Sequence, residues 1–472
     1  MARDLRTFLA EHADAVWTLP AGLSRRHELT ALQHALDARG EYPILVAKGT
    51  RGAGGDATSI PVVTNLTASR VLTAAALGIP DHRQTAAWYA ERSAAGIAPR
   101  IVTRAQAPVQ AVVLTGLDAD LGRIPALTQH ELEPGPYLTA AHATTYDPET
   151  GIDNTAIQRC WLKSAQRMSW FPYPASHNAH NLRKFWARGE PCPVAFWIGH
   201  HPAVLMGTQA KLRYPESHWR AAGGVLGEPL ALVPSLTHGE RILVPAGAEI
   251  VIEGFAPRDT LAADGPFGEY TGYLGPETPA PVCDITCITM RSDAIYHDYG
   301  SGLTDMLVPD NMAMEGKLYA LVKAVAPSLR NVHVPAPGRR FHAWLQLSNP
   351  ARGEARDALV AALAYRRTKW VVAVDEDIDI FSRDALDWAL ATRVQWSRDA
   401  IVIDELSGSA LDPSLPPGAV TASKMGVDAT LPPVPAPGVP RPVPPVATVP
   451  GEAAVHADTL RAAASAGTWP RE

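Results

Sequence analysis

Two carboxylates and one arginine are the residues of this chain best suited to moving a proton. Asp264 and Glu269 stand five residues apart in Asp264-Gly265-Pro266-Phe267-Gly268-Glu269. The two glycines and the proline between them exclude a helix and disfavour a regular strand, so the pattern predicts a stiff, bent loop. A general acid must sit within hydrogen-bond reach of the atom it protonates, and a stiff loop holds it there. The same residue types also make a polar surface turn. A cation upstream bears on the choice. Arg159 closes Asn154-Thr155-Ala156-Ile157-Gln158-Arg159 among apolar neighbours, where a guanidinium either reaches out to water or pairs with acids. Paired with Asp264 and Glu269, it would form a clamp for a substrate carboxylate that carries its own proton donor.

Three dispersed residues, Asn154, His177 and Glu228, offer hard or borderline donors suited to Mn²⁺ or Mg²⁺. Spacing alone does not join them. His177 and His180, three apart, are an alternative zinc pair, although no HExxH-type partner accompanies them. Lys424, in Ser423-Lys424-Met425, reads either as an exposed loop lysine or as a phosphate contact. The glycine-rich stretch 48–56 lacks the Gly-Lys-Ser/Thr ending of a phosphate loop. Asp375, Asp377 and Asp379 mimic the start of a calcium loop, but Ile380 and Leu386 stand where that loop needs Gly and Glu. Cys283 and Cys287, four apart in a β-branched run, are expected on one face of a strand. With Cys160 and Cys192 they read as reduced core or pocket thiols of a cytoplasmic protein.

The elements that must hold these residues follow from size and periodicity. A chain of 472 residues exceeds one ordinary core, which predicts several domains. A net charge of −6 argues against a nucleic-acid partner. No apolar run marks a secretory signal or a membrane span. The overall class is α/β and multidomain. Residues 1–125 read as an N-terminal α/β domain, with a helix over 29–38, strands over 42–47 and 61–66, and a helix over 68–77. Residues 126–305 read as a β-rich domain of short strands between Gly and Pro turns. Within it, Glu249-Val251-Glu253 is expected on a wet strand face opposite Ile250 and Ile252. A linker helix is expected within 306–334, its pattern clearest from Met314 to Val325. Residues 335–430 return to α/β rhythm, ending on a strand over 400–403. Residues 431–472 read as a proline-rich arm and a terminal helix, suited to packing on a partner subunit.

Taken in order, these motifs resemble the UbiD-type decarboxylases, which use prenylated FMN. The resemblance rests on Asn154 with Arg159, Ser176-His177, Gly227-Glu228-Pro229-Leu230, the run Val244 to Gly254, Gly265-Pro266-Phe267-Gly268-Glu269-Tyr270, 374–379 and Ser423-Lys424-Met425. It implies a split-barrel flavin-binding domain in the middle of the chain. It implies that Asn154, His177 and Glu228 hold Mn²⁺, with K⁺ as a candidate companion, against the cofactor phosphate, which Lys424 also reaches. Ile157, Gln158, Arg159 and Ser176 would line the flavin. Arg159, Asp264 and Glu269 would form the acid–base network, with Glu269 as proton donor. The family usually carries Glu where Asp264 stands. The implied reaction is non-oxidative, reversible loss of CO₂ from an aromatic, heteroaromatic or α,β-unsaturated carboxylic acid, through a covalent cofactor–substrate adduct. The implied partners are that small-molecule acid, a flavin prenyltransferase that supplies the cofactor, and a second copy of the chain in a homodimer or larger assembly. Competing readings are a metal-dependent hydrolase built on His177, His180 and Glu228, and a catalytically impaired scaffold of the same fold.

Overall fold

The computed structural model describes residues 3–52, 54–55, 57–432, 443 and 445–466. The N-terminal unit carries a four-stranded sheet in the order Val16–Leu19, Ile44–Ala47, Val62–Thr64, Tyr296–His297. Its last strand arrives from far along the chain and pairs in parallel with Val62 and Val63.

The β-rich middle is a ten-stranded sheet organised around Thr278–Met290. That thirteen-residue strand pairs with Arg167–Trp170, Ile250–Ala256, Leu261–Asp264 and Val112–Thr115. Val112–Thr115, and Arg100–Ile101 in a small neighbouring sheet, fall within 1–125. The β-rich unit thus recruits strands from residue 100 onward, because short strands are assigned by their partners rather than by local sequence.

Two expectations about strand faces fail here. Glu249 and Glu253 are fully buried, so the strand Ile250–Ala256 has no wet face. Each carboxylate is compensated. Glu253 accepts the Leu236 and Thr237 N–H groups at 3.0 and 2.6 Å. Glu249 accepts Arg6 at 3.0 Å and the Ile295 N–H at 2.9 Å. Alternation marks exposure only where one sheet face meets water, and this sheet is covered on both sides. Likewise, Cys283 and Cys287 do not share a face. The ladder pairs Glu253 with Cys287 and Gly254 with Ile285, leaving Thr286 as an extra residue. One bulged residue reverses the parity of the strand beyond it. Cys283 and Ile285 therefore share a core with Ile288 and Met290, while Cys287 turns towards Glu253. All four thiols are free and buried.

The helix Thr304–Lys323 starts ten residues before Met314 and contains Pro309. It packs on the C-terminal sheet, whose order is Leu329–His333, His342–Leu347, Trp370–Asp375, Thr421–Asp428, Ala400–Ser407. Leu329–His333 lies inside the stretch read as linker. Ala400–Ser407 is not the last strand: Thr421–Asp428 follows it and inserts beside Trp370–Asp375. Most of the proline-rich arm lies outside the described residues. The terminal helix spans Gly451–Ser465. Among the described residues no helix is long and apolar enough to cross a membrane.

Candidate active site

A cleft of about 300 Å³ opens between the middle sheet, the helix Thr304–Lys323 and the C-terminal unit. Arg159, Asp264 and Glu269 meet at its edge. Arg159 Nε donates to Asp264 Oδ2 at 2.7 Å, and Arg159 Nη1 donates to Glu269 Oε1. The guanidinium lies 4.2 Å from the Phe171 ring centroid and 4.8 Å from that of Phe267. Two aromatic faces and two acids thus fix a cation that is 8 % exposed. The acids are unequal. Asp264 has no exposed side-chain surface and also accepts the Ser169 hydroxyl at 2.7 Å, so its two oxygens serve two donors. Glu269 keeps 13 % exposure and lines the cleft. Burial raises the Glu269 pKa, against the pull of Arg159.

Backbone pairing positions the trio more firmly than a loop would. Asp264 ends the strand Leu261–Asp264 and faces Thr278, while Phe267–Gly268 pairs with Leu274–Gly275. The bend between them needs its glycines. Gly265 has φ +102°, and a Cβ there would lie 2.8 Å from the Pro276 carbonyl oxygen. A Cβ on Gly268 would lie 2.3 Å from the His130 ring. The peptide Gly265-Pro266 is cis.

Ile157, Gln158 and Ser176 line the same cleft as Arg159. Gln158 is fixed there by Trp170 Nε1 and Asn178 Nδ2, which donate to its Oε1 at 2.7 and 2.9 Å. Ser176 caps the helix His177–Ala187.

The opposite wall carries cations that sequence reasoning passed over: Lys211, Arg340 and Arg367. Asp310, on the long helix, accepts Lys211 and Arg367, and Arg340 Nε lies 3.1 Å from it. Burial pushes the Asp310 pKa up, but Arg340, Lys211 and Arg367 together hold it well below the usual carboxylate range. Burial draws Lys211 down to about 8. Arg366 lies 4.8 Å from the Tyr173 ring centroid. The paired Arg-Arg steps at 339–340 and 366–367 were the available signal.

The expected metal ligands do not all meet. Asn154 is buried on the strand Asp153–Ile157, and its Nδ2 has no hydrogen-bond partner. It stands opposite Thr145 in the ladder, hence on the same face. Thr145 bonds Asn178 and Asn181 of the helix that starts at His177, so Asn154 and His177 belong to one corner. Glu228 does not reach it. It follows Gly227, the cap that ends the helix His218–Leu226, and is exposed. His218, at the other end of that helix, is the residue beside His177. Nine residues at about 1.5 Å each separate the two ends by roughly 13 Å. His180 is exposed, with Nδ1 3.3 Å from Arg183 Nη2, so the trio His177, His180 and Glu228 does not form. Among the described residues no three His, Cys, Asp or Glu side chains converge as a metal site. Lys424 is neither exposed nor part of the cleft wall. Its Nζ donates to the Leu363 and Tyr365 carbonyls at 2.9 Å, capping the helix Glu354–Leu363. Burial lowers its pKa to about 8.

Comparison with known proteins agrees with this architecture. Residues 100–303 match the 3-octaprenyl-4-hydroxybenzoate carboxy-lyase Rift-related domain, and residues 311–429 match the C-terminal domain of the same carboxy-lyases. The chain belongs to the UbiD family and is a carboxy-lyase. Among its relatives is the anhydromevalonate phosphate decarboxylase of Methanothermobacter thermautotrophicus, 31% identical over 384 residues, or 79% of this chain and 86% of that protein. Among solved structures, the UbiD-class enzyme HmfF from Pelotomaculum thermopropionicum in complex with FMN superposes with a TM-score of 0.87. It is 33% identical, with 97% of this chain and 100% of that one covered. An evolved dimeric form of the same enzyme, in complex with prenylated FMN, gives a TM-score of 0.85 at 31% identity, covering 97% and 100%.

Proposed function

We propose that this carboxy-lyase removes CO₂, non-oxidatively and reversibly, from an aromatic, heteroaromatic or α,β-unsaturated carboxylic acid, with prenylated FMN held in the cleft. The observation that carries the reading is the asymmetric trio. Arg159 binds both acids, yet Glu269 alone of the two acids faces the cleft, and burial favours its protonated form. That is the state a proton donor needs before the bond to CO₂ breaks. Prenylated FMN, when bound, supplies the electron sink that lets the carboxylate leave. The chain supplies the rest. Ile157, Gln158 and Ser176 shape the cofactor wall. Phe171 and Phe267 keep water from the guanidinium, and Glu269 gives its proton to the carbon that has lost CO₂. Asp264, holding Arg159 and Ser169, keeps the arginine in place while Glu269 cycles.

For the metal, Asn154 and His177 fit a cation against the cofactor phosphate, whereas Glu228 does not. The cleft's basic wall suits an acid with a second anionic group, which accords with a phosphorylated substrate such as the named relative's.

The test is to express the chain with a flavin prenyltransferase, record its absorption spectrum, and screen unsaturated and aromatic acids for CO₂ release. Flavin bands with CO₂ release from at least one acid are expected. A colourless protein, or one inert towards every class, would overturn the reading.

A further inference from the structure

The corner that holds Asn154 and His177 contains a third donor. The His218 ring centroid lies 5.8 Å from that of His177, with the planes at 72°. This separation leaves room for one ion between two imidazole nitrogens, each about 2.0–2.2 Å from it. His218 is 5 % exposed, and its Nδ1 is buried without a hydrogen-bond partner. The bare Nδ1 is therefore free to face a cation, as the ligating nitrogen of a metal-binding histidine is. The helix start is fixed by its surroundings. Ser217 caps it, and the Trp219 N–H donates at 2.9 Å to Asp153, the residue before Asn154. Two buried polar atoms with no partner, Asn154 Nδ2 and His218 Nδ1, therefore belong to the same corner as the His177 ring. Rotating the Asn154 amide by 180° exchanges its oxygen and nitrogen.

We propose that His177, His218 and the Asn154 amide oxygen form the cation site of this chain, with His218 in the place expected of Glu228. The proposal rests on the reading of a metal that anchors the cofactor. Its consequence is a change of ion class. Two neutral imidazoles and an amide lack the negative charge that a carboxylate brings to Mg²⁺ or K⁺. They favour a borderline transition ion, so affinity should rise from Mn²⁺ to Co²⁺ and Ni²⁺.

The experiment uses the full-length chain with FMN and Mn²⁺ added. Electron spin-echo modulation counts imidazole nitrogens on the bound ion, and the free-Mn²⁺ signal gives its affinity. Two coupled nitrogens are expected for the unaltered chain, which needs no variant to fold. His218→Gln should leave one nitrogen and weaken binding about tenfold or more. Glu228→Gln should leave both nitrogens and change the affinity less than twofold. One nitrogen in the unaltered chain, or loss of binding on Glu228→Gln, would overturn the assignment while leaving a metal site in place. If the unaltered chain binds no Mn²⁺ at millimolar concentration, the anchoring metal itself is refuted, and this assignment with it.

Discussion

The two walls of the cleft solve opposite electrostatic problems. On one, a single arginine is shared by two carboxylates; on the other, a single carboxylate is shared by two arginines and a lysine. The first arrangement leaves a proton in play. Arg159 cannot neutralise both acids, and burial keeps the Glu269 pKa raised. The second arrangement removes any ambiguity, because three cations fix Asp310 as a carboxylate. Their origins differ as well. Arg159, Asp264 and Glu269 all belong to the middle sheet and its hairpin. Lys211 follows the helix Pro202–Gly207, Asp310 sits on the long helix, and Arg340 and Arg367 come from the C-terminal unit. One wall is built to exchange a proton, the other to hold three parts of the chain together.

The largest expected effect comes from breaking the first wall. Glu269→Gln keeps the shape and removes the exchangeable proton, so turnover should fall at least a thousandfold while flavin stays bound, as measured by CO₂ release and absorption. Retained turnover would refute the donor role. Next is Asp310→Asn, which leaves the buried Arg340 and the half-buried Lys211 and Arg367 without their counter-charge. Breaking one partner of a buried ion pair costs about 3–5 kcal/mol, which thermal melting would register as a lowered midpoint. The stability that Asp310 contributes has a defined pH window. Its folded pKa lies below the unfolded value of about 3.9, so that stability is present above this value and is lost as pH falls towards the folded one. Asp264→Asn should be milder, with part of the activity kept and a shifted pH profile. A variant as inactive as Glu269→Gln would end the division of labour between the acids. In the unaltered chain, the rate should fall as pH rises through the raised Glu269 pKa, since the protonated form is the donor. A rate that climbs with pH through this range would contradict the assignment. The smallest effect is expected of Asp264→Glu, which keeps the charge and adds one methylene; turnover within tenfold of the original would match the carboxylate that the family usually has there.

Asp264 and Glu269 were legible in the sequence because they flank one bend whose Gly and Pro announce the geometry, and Arg159 because it is a cation among apolar neighbours. Ile157, Gln158 and Ser176 carry no such signal and came only with the family resemblance. The cations of the second wall were not legible, since Lys211, Arg340 and Arg367 share no motif and meet Asp310 only through the packing of three units. Glu228 misled because it follows the helix whose first residue, His218, carries the proximity to His177. A linear motif marks the helix, not which end of it faces the site. Lys424 was misread because Thr421–Asp428 has few of the residues that flag a buried strand, although it lies next to the centre of its sheet. Faces read from alternation failed at Glu249 and Glu253, where a covered sheet compensates its carboxylates, and at Cys283 and Cys287, where a bulge reverses parity.

The N-terminal sheet borrows its fourth strand, Tyr296–His297, from beyond the middle unit, and this sets an order of events during synthesis. When Thr64 leaves the ribosome, the strand Val62–Thr64 has one of its two ladder partners. The other is not made until His297, on the order of ten to fifty seconds later at about 5–20 residues per second. The contacts Arg6–Glu249 and Asp4–Arg291 span more residues still and wait somewhat longer. Through that interval the nascent chain presents an apolar edge able to pair with a neighbouring copy. The N-terminal third is therefore the segment of this protein whose yield should depend most on chaperones, and a chain ended at residue 125 should be recovered as aggregate.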